Sequence, residues 1–169
     1  MVLGSLLEFI LGNTFPFVVF GSFGAFWLSF GATLTPYFNA SIAYDPTHPA
    51  QSSTNPTFAS TFAYFHVYMG VLCFVYMVCA IRTNIVFVLI FATLVAAFGC
   101  LAAFFFQIGA GVANMGLQHA AGGITFVTCL LGWYLFLVQL LASVDFPLNL
   151  PVGDLSRFIP GASDRAKTE

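Results

Sequence analysis

The sequence predicts an all-α integral membrane protein with four membrane-spanning helices. Composition and pattern both carry that prediction. Of 169 residues, 60% are hydrophobic and 6% are charged, whereas a soluble domain carries about 25% charged residues. A chain of this kind could not keep its surface in water. Its apolar residues fall into four runs, 14–35, 58–81, 85–107 and 117–141, bounded by turn and loop residues and free of Asp, Glu, Lys and Arg. About twenty residues at 1.5 Å each cross the hydrocarbon layer of a bilayer, so each run reads as one span.

In chain order, residues 1–13 read as the remnant of a preceding membrane helix and its turn, because about eleven apolar residues cannot span a bilayer. Glu8, and the lack of a basic leader or small-residue cleavage site, set this segment apart from a signal peptide. The membrane domain is expected over 14–144. Its first helix opens on Asn13 or Thr14 as a cap, with Pro16 where a missing N–H costs nothing. Pro36 stops it. Along it, Gly21, Ala25 and Ser29 recur at four-residue spacing, a pattern that lets another helix backbone come close where lipid supplies no hydrophobic drive.

Residues 37–57 are rich in Ser, Thr, Asn and Pro, and read as a loop in water. Asn39-Ala40-Ser41 is a glycosylation sequon, but it lies too near the helix end to favour modification. After the second helix, Arg82-Thr83-Asn84 makes a tight turn into the third. There Ala92, Ala96, Gly99 and Ala103 mark a close-packed face. A glycine-rich link precedes the fourth helix, where Trp133 and Tyr134 sit too deep for an interfacial belt and are expected to pack inside the bundle. Residues 145–169 form a cytosolic tail.

Enzyme chemistry is disfavoured. No carboxylate pair, Ser/His/Asp arrangement or phosphate-cradling glycine loop lies on these helices, and no basic cluster points to nucleic acid. Cys73, Cys79, Cys100 and Cys129 all lie in apolar runs and show no metal-ligand spacing with the histidines. No cofactor or metal is implied. Polar groups inside a membrane are costly and lean towards function. The candidates are Asn13, Thr14, His66, Gln107, Asn114, Gln118 and His119. Most stand near helix ends, where water satisfies them, and His66 is more simply a hydrogen-bonding partner within the protein. His119, at a glycine-rich helix start able to attract anions, divides more evenly between structure and substrate path.

Several ordered words carry a resemblance. They are Gly12-Asn13-Thr14-Phe15, Gly24-Ala25-Phe26-Trp27-Leu28-Ser29, Arg82-Thr83-Asn84, Ala120-Ala121-Gly122-Gly123, Leu131-Gly132-Trp133-Tyr134, and the tail from Ser143-Val144-Asp145-Phe146-Pro147 to Pro151-Val152-Gly153-Asp154. Together they resemble the acetate uptake transporter family, the YaaH-like and fungal acetate permease group. The resemblance implies the last four helices of a six-helix transporter bundle and assembly as a hexamer. It also implies passage of acetate, succinate or similar carboxylates, with ammonium export associated with some fungal members. It places Phe23 at the family's Tyr constriction position and Leu94 at its Leu position, and it matches Glu8 to the family's glutamate.

The family's first helix, with its Asn-Pro-Ala-Pro-Leu-Gly-Leu signature and the third constriction residue, is not among these residues. The expected function is therefore a transporter or channel for small carboxylates, with little activity from this chain alone. Asn13, Thr14 and His119 stand along the candidate path, and Phe23 and Leu94 form a water-excluding neck. The alternative is a non-transporting subunit that assembles with complete relatives. The lipid bilayer and further copies of the chain are the other expected partners, and the plasma membrane is the expected location.

Orientation follows from the basic residues. Arg82, Arg157, Arg165 and Lys167 fall on one side of a four-span chain, which puts both termini in the cytosol and the 37–57 loop outside. Cysteines introduced near residue 50 and residue 165 should accordingly label from opposite sides of the membrane. Labelling of both from outside would reverse the assignment.

Overall fold

The computed structural model describes residues 1–47, 55–112, 114–156 and 158. His48, Arg157, Arg165 and Lys167, and with them residues 159–169 of the expected cytosolic tail, lie outside the described residues. Five α-helices follow one another: α1 (Val2–Ile10), α2 (Thr14–Leu34), α3 (Pro56–Ala80), α4 (Ile85–Gly109) and α5 (Met115–Ser143). Two 3₁₀ turns, Pro36–Phe38 and Ile42–Tyr44, lie between α2 and α3. The last four helices are long and apolar enough to cross a membrane. The chain divides into two compact units, Met1–Phe58 and Ala59–Glu169.

In the first unit α1 folds back along α2. The turn is a Schellman closure: Asn13 N–H donates to Glu8 O at 2.9 Å and Gly12 N–H to Phe9 O at 3.1 Å. Gly12 takes φ +78°, the left-handed conformation this closure needs at its penultimate residue. The two helices meet through small residues. A Cβ on Gly21 would stand 3.0 Å from Ser5 Oγ, and one on Gly24 would stand 2.7 Å from Val2 Cγ2. Beside that seam the rings of Phe9 and Phe17 pack at 5.2 Å. At the far end of α2, Thr33 and Thr35 donate their hydroxyls to Ser29 O and Gly31 O at 2.8 and 2.7 Å, so the last turn keeps its carbonyls occupied before Pro36.

Every helix start in the second half is set by an asparagine. Asn55 Oδ1 accepts from Thr57 N–H at 2.9 Å and Phe58 N–H at 3.3 Å, with Pro56 as the first helical residue. Asn84 accepts from Phe87 N–H at 2.9 Å, and Asn114 from Gly116 N–H at 3.1 Å. These caps start α3 and α5 two residues ahead of the sequence expectation of 58 and 117. The C-terminal ends of α4 and α5 reuse the closure seen after α1. Val112 N–H reaches Gln107 O at 2.8 Å, and Phe146 N–H reaches Leu141 O at 3.0 Å. Both helices therefore run two residues past the expected 107 and 141.

Within the second unit, α4 packs along α5. The stripe of α3 that is shielded runs Ala59, Phe62, Ala63, His66, Met69, Cys73, Tyr76 and Ala80, spaced at one helical turn. Tyr64, Tyr68, Val71, Phe74 and Val78 on the other side are exposed, although just as apolar. Trp133 corrects an expectation. It is 64% exposed and stacks edge-on with Phe136, while Tyr134 is half-buried, because neighbours in a helix point about 100° apart. On α4 the shielded small residues are Ala97 and Ala102, whereas Ala96 and Gly99 are exposed in the single chain.

Past α5 the chain returns to the α3–α4 turn. Tyr134 donates its hydroxyl to Pro151 O at 2.6 Å. Ile85 N–H then donates to Gly153 O at 2.9 Å and Leu155 N–H to Thr83 O at 3.0 Å, an antiparallel bridge of Asn84 with Asp154. Gly153 holds φ +66°, and a Cβ there would lie 2.5 Å from Ile85 Cγ2. Both a left-handed backbone and a close approach thus demand glycine. Replacing Gly153 with Ala should cost about 1–2 kcal/mol from the backbone alone. We expect hydrogen exchange at the Ile85 and Leu155 amides to speed up by about tenfold, while exchange in the middle of α5 stays unchanged.

Candidate functional site

The polar start of α2 is built from the α1–α2 turn. Asn13 occupies the cap position with φ −85° and ψ 80°, yet its side chain makes no cap hydrogen bond. Its Nδ2 donates instead to Glu8 Oε2 at 2.7 Å. A carboxylate thus already sits on an amide donor at the mouth of a charge-free helix. Thr14, the first helical residue, is exposed beside it. Glu8 is half-buried and close enough for this bond only because Gly12 turns the chain back.

Phe23 lies a further two and a half turns along α2 and is 5% exposed, so its ring is shielded rather than turned to lipid. Leu94, on α4, is half-buried. The two stand in different compact units. Leu94 follows Thr93, whose hydroxyl lies 2.9 Å from both Leu89 O and Ile90 O. Thr128 of α5 donates to Thr93 Oγ1 at 2.7 Å. His119 is exposed in the second turn of α5, a turn away from the Asn114 cap. Of the helix-packing residues, Gly21 meets Ser5 of α1, whereas Ala25 and Ser29 are exposed in the single chain. Gly24, not singled out from the sequence, makes the closer approach to α1.

His66 is wholly shielded from solvent. Its Nδ1 lies 2.9 Å from Phe62 O. A carbonyl oxygen can only accept, so Nδ1 carries the proton. The imidazole stacks on Phe105 at 5.0 Å and meets the edge of Phe62 at 4.8 Å. An apolar crevice of about 300 Å³ between α3 and α4 runs from His66 past Gly70 and Phe74 to Gly99 and Ala102. Nothing in the sequence distinguished this aromatic housing from a lipid-facing surface. Among the described residues, no group of three or more His, Cys, Asp or Glu side chains converges on a possible metal position.

Four apolar helices with no charged residue between their ends, and with polar groups held at the helix starts and in a few buried hydrogen bonds, define a polytopic integral membrane protein. Comparison with known proteins then fixes its lineage. Residues 1–157 match the model of the GPR1/FUN34/yaaH family, and the chain belongs to that family. It is 48% identical to Protein alcS of Aspergillus fumigatus over 162 residues, covering 94% of this chain and 60% of that protein. It is 31% identical to the acetate transporter protein patA of Aspergillus clavatus over 159 residues, covering 93% of this chain and 61% of the relative. With the ammonia transport outward protein 3 of Saccharomyces cerevisiae it shares 28% identity over 158 residues, covering 93% and 51%. The chain therefore spans about 60% of the length of the relatives it matches best among these. No solved structure matches it. Relatives in this family are named as transporters or permeases, not as enzymes.

The contrast between Gly24 and Ala25 gives a test of packing. Gly24→Leu would drive a side chain into the Val2 backbone and should destabilise the α1–α2 pair by about 1–3 kcal/mol. Ala25→Leu meets open space in the single chain and should leave helix content and melting unchanged, but lower the yield of oligomer in mild detergent. Normal oligomer recovery for Ala25→Leu would remove this face from the assembly.

Proposed function

We propose that the protein forms part of a membrane path for small carboxylates, with acetate the first substrate. The observation that carries this reading is family membership together with relatives named for acetate transport, on a chain whose four spans contain no charged residue. Without a buried lysine or arginine in those spans, a carboxylate is held weakly and leaves readily, as conduction requires. Asn13, Thr14 and His119 offer N–H and O–H donors along the way in this reading. Phe23 and Leu94 each offer an apolar side chain that excludes hydrated ions, and an upstream helix closes the remaining wall. Ala25 and Ser29 face another copy, in an assembly that the family resemblance sets at six. Both termini lie in the cytosol, and the plasma membrane is the location.

A second reading uses the same exposed Ala25/Ser29 face: the chain joins other copies as a non-transporting subunit.

Initial rates of labelled acetate uptake into proteoliposomes separate the two. The 169-residue chain by itself should move little acetate, and a form carrying an upstream Asn-Pro-Ala-Pro-type helix should take it up. In that form Leu94→Ala should admit the larger carboxylate lactate, and Phe23→Tyr should be tolerated. Saturable uptake by the 169-residue chain alone would show that neighbouring copies supply the missing wall. Failure of both forms would overturn carboxylate transport and leave the subunit reading.

A further inference from the structure

We infer that Thr93 and Thr128 are positioning residues for the neck, because their hydroxyl pair fixes the direction in which Leu94 faces. The inference rests on Leu94 being a wall of the carboxylate path, as proposed above. The direction of each hydrogen bond in the pair is determined. Thr93 Oγ1 stands 2.9 Å from Leu89 O and Ile90 O. Neither carbonyl can donate, so the Thr93 proton is committed to them and its lone pairs face outward. Thr128 Oγ1, 2.7 Å away, is therefore the donor between the helices. Its alternative acceptor, Ile124 O on its own helix, is farther at 3.1 Å. The result is a short chain running from the Thr128 hydroxyl to the Thr93 hydroxyl and on to the α4 backbone. Hydrogen bonds in such a chain polarise and reinforce one another.

The pair lies within both candidate membrane spans, and both threonines are half-buried between α4 and α5. Rotating α4 against α5 would break the bond between them and leave Thr128 only its longer bond to Ile124 O, at 3.1 Å on its own helix. Leu94 is the next residue on α4, so its azimuth is locked to that of Thr93 at about 100° around the helix. The start of α4 is held as well. Ile85 N–H is bonded to Gly153 O, and that same segment is tied to α5 through Tyr134 and Pro151 O. Two anchors at different heights fix a rigid helix in rotation, where one would leave it free to swivel. Leucine and threonine thus divide the work: Leu94 supplies the apolar surface, and Thr93 with Thr128 sets where that surface points. Acetate and its next larger homologue differ by one methylene group, so the direction in which Leu94 faces bears on which of them passes.

The experiment has two arms. The first reads the lactate-to-acetate ratio of uptake rates in whichever form transports acetate in the assay above. The second reads the rate at which a maleimide labels Leu94→Cys in membranes, in a background where Cys73, Cys79, Cys100 and Cys129 are serine. A membrane interhelical hydrogen bond biases an equilibrium by about threefold. Thr128→Val and Thr93→Val should each change both readouts by about that factor, while Thr128→Ser, which restores the hydroxyl, should return them to the parent values. Unchanged selectivity and labelling in both valine variants would overturn the inference. So would loss of both valine variants from the membrane with the serine variant recovered, since the hydroxyls would then serve stability alone. If no form moves acetate, the carboxylate reading fails by itself, and the labelling arm still decides whether the pair orients Leu94.

Discussion

Inside a bilayer an unpaired N–H or C=O has no water to turn to, and each one costs several kcal/mol. This requirement shapes the chain more than any side-chain contact does. It explains why every described span is a continuous helix and why the helix ends are closed with such consistency. Asparagine side chains receive the first N–H groups of α3, α4 and α5. Left-handed residues at Gly12, Gly111 and Asp145 return the chain onto the last carbonyls of α1, α4 and α5. Thr33, Thr35 and Thr83 fold their hydroxyls onto carbonyls near the remaining ends. With backbone pairing settled locally, the faces of the helices are free to serve association and passage.

The same constraint determined what could be read from the sequence. Four spans were legible because length and apolarity alone decide them. The ends were legible in kind but off by two residues. Asn55-Pro56 and Asn114 are cap signals of ordinary strength, and each stands just ahead of the apolar run that marks its span. Faces were not legible. In α3 the shielded His66 and Cys73 alternate with exposed Tyr68 and Phe74, and hydropathy does not separate the two sides. A helix that is apolar all round gives no amphipathic signature. Small residues helped only in part. Gly21 does face α1, but Gly24, outside the four-residue spacing of Gly21, Ala25 and Ser29, makes the closer contact.

The candidate site shows the same division. Asn13, Thr14 and Glu8 were visible as polar residues at a helix start, but the bond between Asn13 and Glu8 depends on a chain reversal that the sequence only hints at through Gly12. Thr93 and Thr128 attracted no notice, since isolated threonines in a span ordinarily satisfy themselves on their own helix. Their pairing requires α4 and α5 to pack at one particular register. Tertiary register is the information a single sequence holds least openly. By contrast, Arg82-Thr83-Asn84 and Pro151-Val152-Gly153-Asp154, two of the words that carried the family resemblance, are joined by backbone hydrogen bonds in the fold.

That junction has a consequence for how the protein is made. The turn between α3 and α4 emerges from the ribosome long before Gly153 does, so Ile85 enters the membrane-bound chain with its N–H still open. It can be closed only after all of α5 has been synthesised and threaded across the bilayer. Until then the start of α4 is held by its Asn84 cap alone. A nascent chain interrupted anywhere in α5 would present that end, and the unclasped side of α4 beside it, to whatever surveys the membrane for unfinished proteins.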